Sequence, residues 1–147
     1  MRTGLVPALV FILLIAAESV AIAQTAQTAQ TSSPACHGPQ QLKLVAELLF
    51  GRNIGGKPGV NEADWARFVA HELTPRFPDG FTVTDASGQS RNPANGAVVR
   101  EAAKRVEIVL PGNDNDQARL DAVVTAYKRE FSQHSVAVIV QSACVSF

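Results

Sequence analysis

Two cysteines, Cys36 and Cys144, stand at either end of everything in this 147-residue chain that has the pattern of a folded domain. A disulfide between them needs its two Cα atoms within about 7 Å of each other, so a fold that joins them must bring its last strand back beside the start of its first. The rivals are a catalytic thiol and a metal site. His37 adjoins Cys36, but a zinc site wants four ligands at workable spacing, and the sequence has no Cys-x-x-Cys or His-x-x-x-His. The pair is therefore read as a structural disulfide, with no metal and no cofactor implied.

The residues ahead of Cys36 supply the oxidising compartment that such a bond requires. Arg2 gives a basic start, Leu5 to Ala17 an apolar run, and Ala21-Ile22-Ala23 the small-x-small pattern after which signal peptidases cut. Residues 1–23 read as a signal peptide cleaved after Ala23, which predicts a periplasmic or secreted protein. A retained anchor is disfavoured, because about 13 apolar residues, interrupted by Pro7 and followed by Glu18, fall short of the roughly 20 that span a bilayer. Residues 24–35, with Gln-Thr-Ala repeats followed by Ser32, Ser33 and Pro34, have nothing to bury and read as a flexible linker. Residues 36–147 are then a single α+β domain. The chain carries 13 cationic and 13 anionic side chains, and cleavage removes one of each, Arg2 and Glu18. Neutrality without a basic run argues against nucleic acid, or a membrane surface after cleavage, as partner.

Within the domain, Gln41 to Phe50 alternates Leu42, Leu44, Ala46, Leu48 and Phe50 against Lys43, Val45, Glu47 and Leu49, the period of a strand with one apolar face. Asn61 and Asp64 form a capping box ahead of a helix with the stripe Trp65, Phe68, Val69, Leu73, ended by Pro75. Phe81 to Arg91 predicts a second strand, bulged near Gly88. Asn92-Pro93-Ala94-Asn95-Gly96 is a hairpin connection to a third, Ala97 to Leu110, with a break at Ala102 and Ala103. Asp114 and Gln117 read as a second capping pair, Leu120, Val123, Val124, Tyr127 and Phe131 as the stripe of a second helix, and Ser135 to Val145 as the last strand. The order βαββαβ predicts a ferredoxin-like split βαβ fold: a four-stranded antiparallel sheet with two helices on one face. Its fourth strand lies beside its first, which is the return that Cys36 and Cys144 need.

Two sharper motifs fail on chemistry. Gly51, Gly56 and Lys57 have the spacing of a phosphate-binding loop, but Pro58 replaces the hydroxyl residue, the helix starts too late to cradle a phosphate, and Glu62 and Asp64 repel one; a glycine-rich turn is the better reading. His71 falls on the polar side of the first helix and His134 at the close of the second, with no Ser-His-Asp or Gly-x-Ser-x-Gly pattern around them. The second face of the sheet is more informative. Lys43, Val45, Glu47 and Leu49 would share it with Arg105, Glu107 and Val109 and with Ala137, Ile139 and Gln141. That surface suits either a solvated face laced by ion pairs among Lys43, Glu47, Arg105 and Glu107, or a homodimer seam or ligand cleft.

Ala46-Glu47-Leu48-Leu49-Phe50-Gly51-Arg52, Asp64-Trp65-Ala66-Arg67-Phe68, Leu73 to Gly80 and the closing Ala143-Cys144-Val145-Ser146-Phe147 resemble an uncharacterised secreted bacterial family, domain of unknown function 3574. The resemblance covers Gln41 to Phe147. It implies an exported bacterial protein and transfers no catalytic residues. Relatives carry a tryptophan near Gly88-Gln89 where this chain has Ser90.

Three functions fit these observations. The first, favoured by the missing catalytic constellation, is a binding or interaction module without chemistry, its partner an unknown small molecule or exported protein. The second is a cofactor-independent small-molecule enzyme of dimeric α+β barrel type, with Glu47 as proton-transfer base and Arg105 or Arg52 as oxyanion or carboxylate partner. It predicts a closed pocket beside Glu47. The third is an inhibitor or chaperone-like partner of another exported protein.

Overall fold

The computed structural model describes residues 35–147; the signal peptide and all but the last residue of the linker lie outside them. The chain runs β1 (Gln41–Gly51), the two-residue strands β2 (Asn53–Ile54) and β3 (Lys57–Pro58), α1 (Glu62–Phe68) continued by a π-helical turn (Val69–Leu73), β4 (Thr82–Arg91), β5 (Val98–Val109), α2 (Asp116–Glu130) and β6 (Ala137–Val145). The large sheet has the order β4-β5-β1-β6, with every neighbouring pair antiparallel. This is the ferredoxin-like split βαβ arrangement that the element order predicts.

Alternation along β1 and β5 sends Ala46, Leu48, Phe50, Val106 and Ile108 to the helix side, where they are buried against Trp65, Phe68, Leu73, Leu120, Val123, Tyr127 and Phe131. The Asn61 side chain accepts the Asp64 N–H at 2.9 Å, and the Asp64 carboxylate returns to the Asn61 N–H, so the predicted capping box is present. Phe68 and Leu73, five residues apart, both reach the core because the helix widens there. The Thr74 N–H donates to the Val69 carbonyl at 2.9 Å, the i→i+5 bond of a π turn.

Five local expectations need correction. The β4–β5 register runs unbroken from Thr82 opposite Glu107 to Arg91 opposite Val98, so Gly88 makes no bulge and Ala102 and Ala103 no break. Asp114 and Gln117 do not cap α2. Asp116 instead accepts the N–H groups of Gly112 and Asn113, at 2.8 and 3.1 Å, and the helix begins on it. Leu42 and Leu44 lie on the helix side of β1 but are 47% and 44% exposed, because the helices cover only the part of the strand beyond them. His134 lies beyond the end of α2, in the loop before β6. The glycine-rich turn expected after β1 is present: Asn53 to Pro58 form the small β2–β3 ribbon, with Gly55 and Gly56 at φ +59° and +79° in its two-residue turn. Both values demand the left-handed region that glycine tolerates.

Cys36 and Cys144 are bonded, S–S 2.08 Å and Cα–Cα 5.4 Å, with Cys144 opposite Leu42 in the β1–β6 ladder. The bond fits an oxidising compartment. No helix among the described residues is long and apolar enough to cross a membrane.

Candidate functional site

The face opposite the helices carries no covering layer. Register places Val45 opposite Val109 and Gln141, Glu47 opposite Glu107 and Ile139, and Leu49 opposite Arg105 and Ala137. Two carboxylates directly across a ladder repel, and Arg105 relieves them: its Nη2 lies 2.6 Å from Glu47 Oε2 and 3.3 Å from Glu107 Oε2. One guanidinium thus bridges both carboxylates and leaves the trio one negative charge in excess, an arrangement of small net stability in so exposed a place. Lys43 forms no ion pair among the described residues.

The three candidate catalytic residues are divided. Glu47 and Arg105 meet on the open face, whereas Arg52, one residue past β1, belongs to the helix side. Its Nε donates to the Val60 carbonyl at 2.7 Å and its Nη1 pairs with Glu62 at 2.6 Å. Glu62 also binds Lys104, whose Nζ is 2.9 Å from Glu62 and 2.5 Å from Asp85. Lys104 sits at a helix-side position of β5 and is buried along its stem. The Lys104 ammonium, then Arg52, hold the Glu62 carboxyl below its ordinary range; Lys104 does the same for Asp85, and Asp85 in turn raises Lys104. Lowered carboxyl pKa values stabilise the fold fully above their unfolded values, 4.5 and 3.8, and that contribution is lost as pH falls below these and through the lower folded values. The raised Lys104 contributes fully below 10.5 and loses its share as pH rises through the folded value. In Lys104→Met the decline of the urea midpoint between about pH 5 and pH 3 should therefore flatten relative to the parent. Parallel profiles would show that the cluster adds nothing to stability.

At the end of the open face near the hairpin ribbon lies a hollow of about 630 Å³. Its depth comes from residues with little or no side chain on four strands: Gly51, Ala86, Gly88, Ala103 and Ala137. Glu101 lies across its floor. A Cβ on Gly51 would come within 2.7 Å of Glu101 Oε1, which is the physical reason that position 51 carries none. The same oxygen accepts the Asn53 N–H at 2.6 Å, and no Lys, Arg or His among the described residues forms an ion pair with this carboxylate.

The rim is fixed by α2 and the turn after it. The Tyr127 hydroxyl donates to the Gly51 carbonyl at 2.8 Å, and Gln133 Nε2 donates to the Asn53 carbonyl at 2.6 Å. Burial raises the Tyr127 phenol well above its ordinary range, so it stays a donor. Ser132 reaches φ 53° to cap the helix and aim Gln133 at the ribbon. His134 lines the same hollow. None of Glu101, Asn53 or Gln133 stands out in the sequence, because Asn53 is 48 residues from Glu101 and 80 from Gln133, and they meet only through strand register and the turn after α2. A second hollow, about 450 Å³, lies at the far end of the face between Lys43, Phe81, Glu107 and Phe147. Glu47 lines neither. Among the described residues, no three His, Cys, Asp or Glu side chains gather as a metal site.

The family described as a protein of unknown function (DUF3574) matches residues 45–147. No curated protein matches the chain. Among solved structures, a phage SAM lyase in complex with S-methyl-5′-thioadenosine is similar at 20% identity and TM-score 0.54, over 76% of this chain and 95% of that one. The same lyase in its apo state gives 18% and 0.52, over 79% and 98%. CutA from Synechococcus elongatus PCC7942 gives 12% and 0.43, over 73% and 80%. At 18–20% identity the likeness to the lyase is one of fold.

Proposed function

The chain belongs to the DUF3574 family of proteins of unknown function, and we propose that it is an exported binding module that takes a small molecule with a cationic nitrogen in the hollow over Glu101. The observation that carries this reading is a carboxylate without an ionic partner among the described residues, laid across a concave floor of glycine and alanine, while the other acids of the open face share Arg105. A built hollow with one convergent charged group is the usual form of a small-ligand site. The apolar walls, Leu49 and Val99, would take the body of the ligand. Export is supported by the signal-peptide pattern and by the disulfide.

The test uses the full-length precursor expressed with its leader. Protein recovered from the periplasm should begin at Gln24; a chain that keeps Met1 would remove the export half of the proposal. Titration with 2-phenylethylammonium should perturb the amides of Asn53 and Glu101, while 3-phenylpropionate, with the same ring and opposite charge, should not. Glu101→Gln should weaken the ammonium about tenfold or more, the size of a lost charge-assisted hydrogen bond. Equal binding of both probes, or an unaffected Glu101→Gln, would refute the site.

A second reading, the cofactor-independent enzyme, has one observation in its favour: Glu47 and Arg105 do stand together. Within one chain they lie on an open face, so this reading needs a second copy to enclose them. Incubation with SAM, the compound named for the similar phage lyase, is the direct trial; release of S-methyl-5′-thioadenosine that Glu47→Gln abolishes would displace the binding module.

A further inference from the structure

The two edges of the sheet are built differently. β4, at one edge, reads Thr-Val-Thr-Asp-Ala-Ser-Gly-Gln-Ser-Arg, with Asp85 and Arg91 on it and a polar residue at most positions. Such charges are what keep an edge from pairing with another chain. β6, at the other edge, reads Ala-Val-Ile-Val-Gln-Ser-Ala-Cys-Val over nine residues, without one charge, proline or glycine. Its backbone makes no hydrogen bond among the described residues beyond the ladder to β1. Val138, Ile139 and Val140 are 38%, 47% and 43% exposed in succession.

The apolar surface continues inward. Val138 and Val140 pair with Leu48 and Ala46, so they lie on the helix side, in line with Leu42 and Leu44, which the helices leave uncovered. An edge with a free backbone, β-branched residues and an apolar flank is a template for strand addition. The backbone calls for an extended occupant, and the exposed Val138, Ile139 and Val140 favour one whose facing side chains are apolar.

We propose that β6 pairs antiparallel with β6 of a second copy of this chain, joining two four-stranded sheets into one of eight strands. The uncharged strand meets no like charge when laid against itself. A two-fold axis at Val140 sets Val140 against its counterpart on the helix side, and Ile139 against Gln141 on the open side. Such a contact is isologous and closes at two copies, whereas pairing β6 to β4 would be heterologous, and β4 is the guarded edge. The proposal is independent of the hollow over Glu101, which lies on the open face and stays accessible in this dimer.

The experiment is light scattering on the mature, oxidised protein across a wide range of concentration, with amide hydrogen exchange read residue by residue. The expected mass is that of a dimer. Alternate amides of Ala137–Val145, those pointing away from β1, should exchange an order of magnitude or more slower than in the double variant Val138→Lys/Val140→Lys, which should be monomeric with its disulfide intact. A monomer at every concentration overturns the proposal. So does a dimer in which the outward amides of β6 exchange freely, since that pattern belongs to packing through the open face. Exchange on the unmodified protein decides the matter where the lysine variant does not fold. Loss of the ammonium probe by Glu101→Gln has no bearing on the dimer, so the two readings fail separately.

Discussion

The variant in which Cys36 and Cys144 are both serine should unfold with about 3–5 kcal/mol less free energy than the oxidised parent, in urea at neutral pH. The two residues are 108 apart in sequence, and chain-entropy treatment of a loop of about 100 residues gives ~4.7 kcal/mol. Little else in the folded state depends on the bond. Residues 35–40 are held otherwise by one turn, between the His37 carbonyl and the Gln40 N–H at 3.3 Å, and by a side-chain contact of the same pair. Losing the disulfide frees that segment and leaves the β1–β6 ladder in place, so the effect falls chiefly on the unfolded chain. For a domain whose whole stability is of the order of 5–15 kcal/mol, that is a large fraction. A difference under about 1 kcal/mol would mean that the unfolded chain already keeps its ends together. An unfolding slope against urea that rises in the serine variant would show the expected expansion of the denatured state.

The fold was legible because each of its determinants is local or pairwise. Alternation in β1, the capping box at Asn61, the Asn-Pro-Ala-Asn-Gly hairpin and the two helical stripes give the element order, and the element order gives the sheet. The composition of the open face follows from strand period alone, and Lys43, Val45, Glu47 and Leu49 do share it with Arg105, Glu107 and Val109.

What period cannot give is coverage. It assigns Leu42 and Leu44 to the apolar face without showing that the helices stop short of them, and it treats the last strand as one among four when it is an unguarded edge. The misreadings of Gly88 and of Ala102-Ala103 are more instructive. Small residues in the middle of a strand suggest a bulge or a break, because they contribute little packing. Here the ladder passes straight through, and Gly88 and Ala103 are small because they floor the hollow over Glu101. Departures from local strand chemistry tend to fall at functional sites, and Gly88 and Ala103 fall at one place, while Ala102 lies on the other face of the sheet.

The packing that supports that place also predicts the other large effect. Phe50→Ala should cost about 3–5 kcal/mol, measured as the shift in urea unfolding free energy with the disulfide intact. Phe50 is fully buried, with ring centroids 5.3 Å from Trp65, 5.9 Å from Phe68 and 4.8 Å from Tyr127, so its removal opens a void among three aromatic side chains that cannot collapse together. A loss under about 1 kcal/mol would contradict this packing. Tyr127→Phe separates the ring from the hydroxyl. It keeps the aromatic contacts but leaves the Gly51 carbonyl without its 2.8 Å donor, for a cost of about 1–3 kcal/mol. The two variants should also differ at the site. Residue 50 places Gly51 in the sheet and residue 127 holds its carbonyl, while the Glu101 carboxylate lies against its Cα. If the hollow depends on that carbonyl bond, Tyr127→Phe, although the milder variant in stability, should weaken 2-phenylethylammonium binding while leaving the fold intact. Unchanged affinity in Tyr127→Phe would instead assign the bond to stability alone, with the floor of the hollow held by strand register.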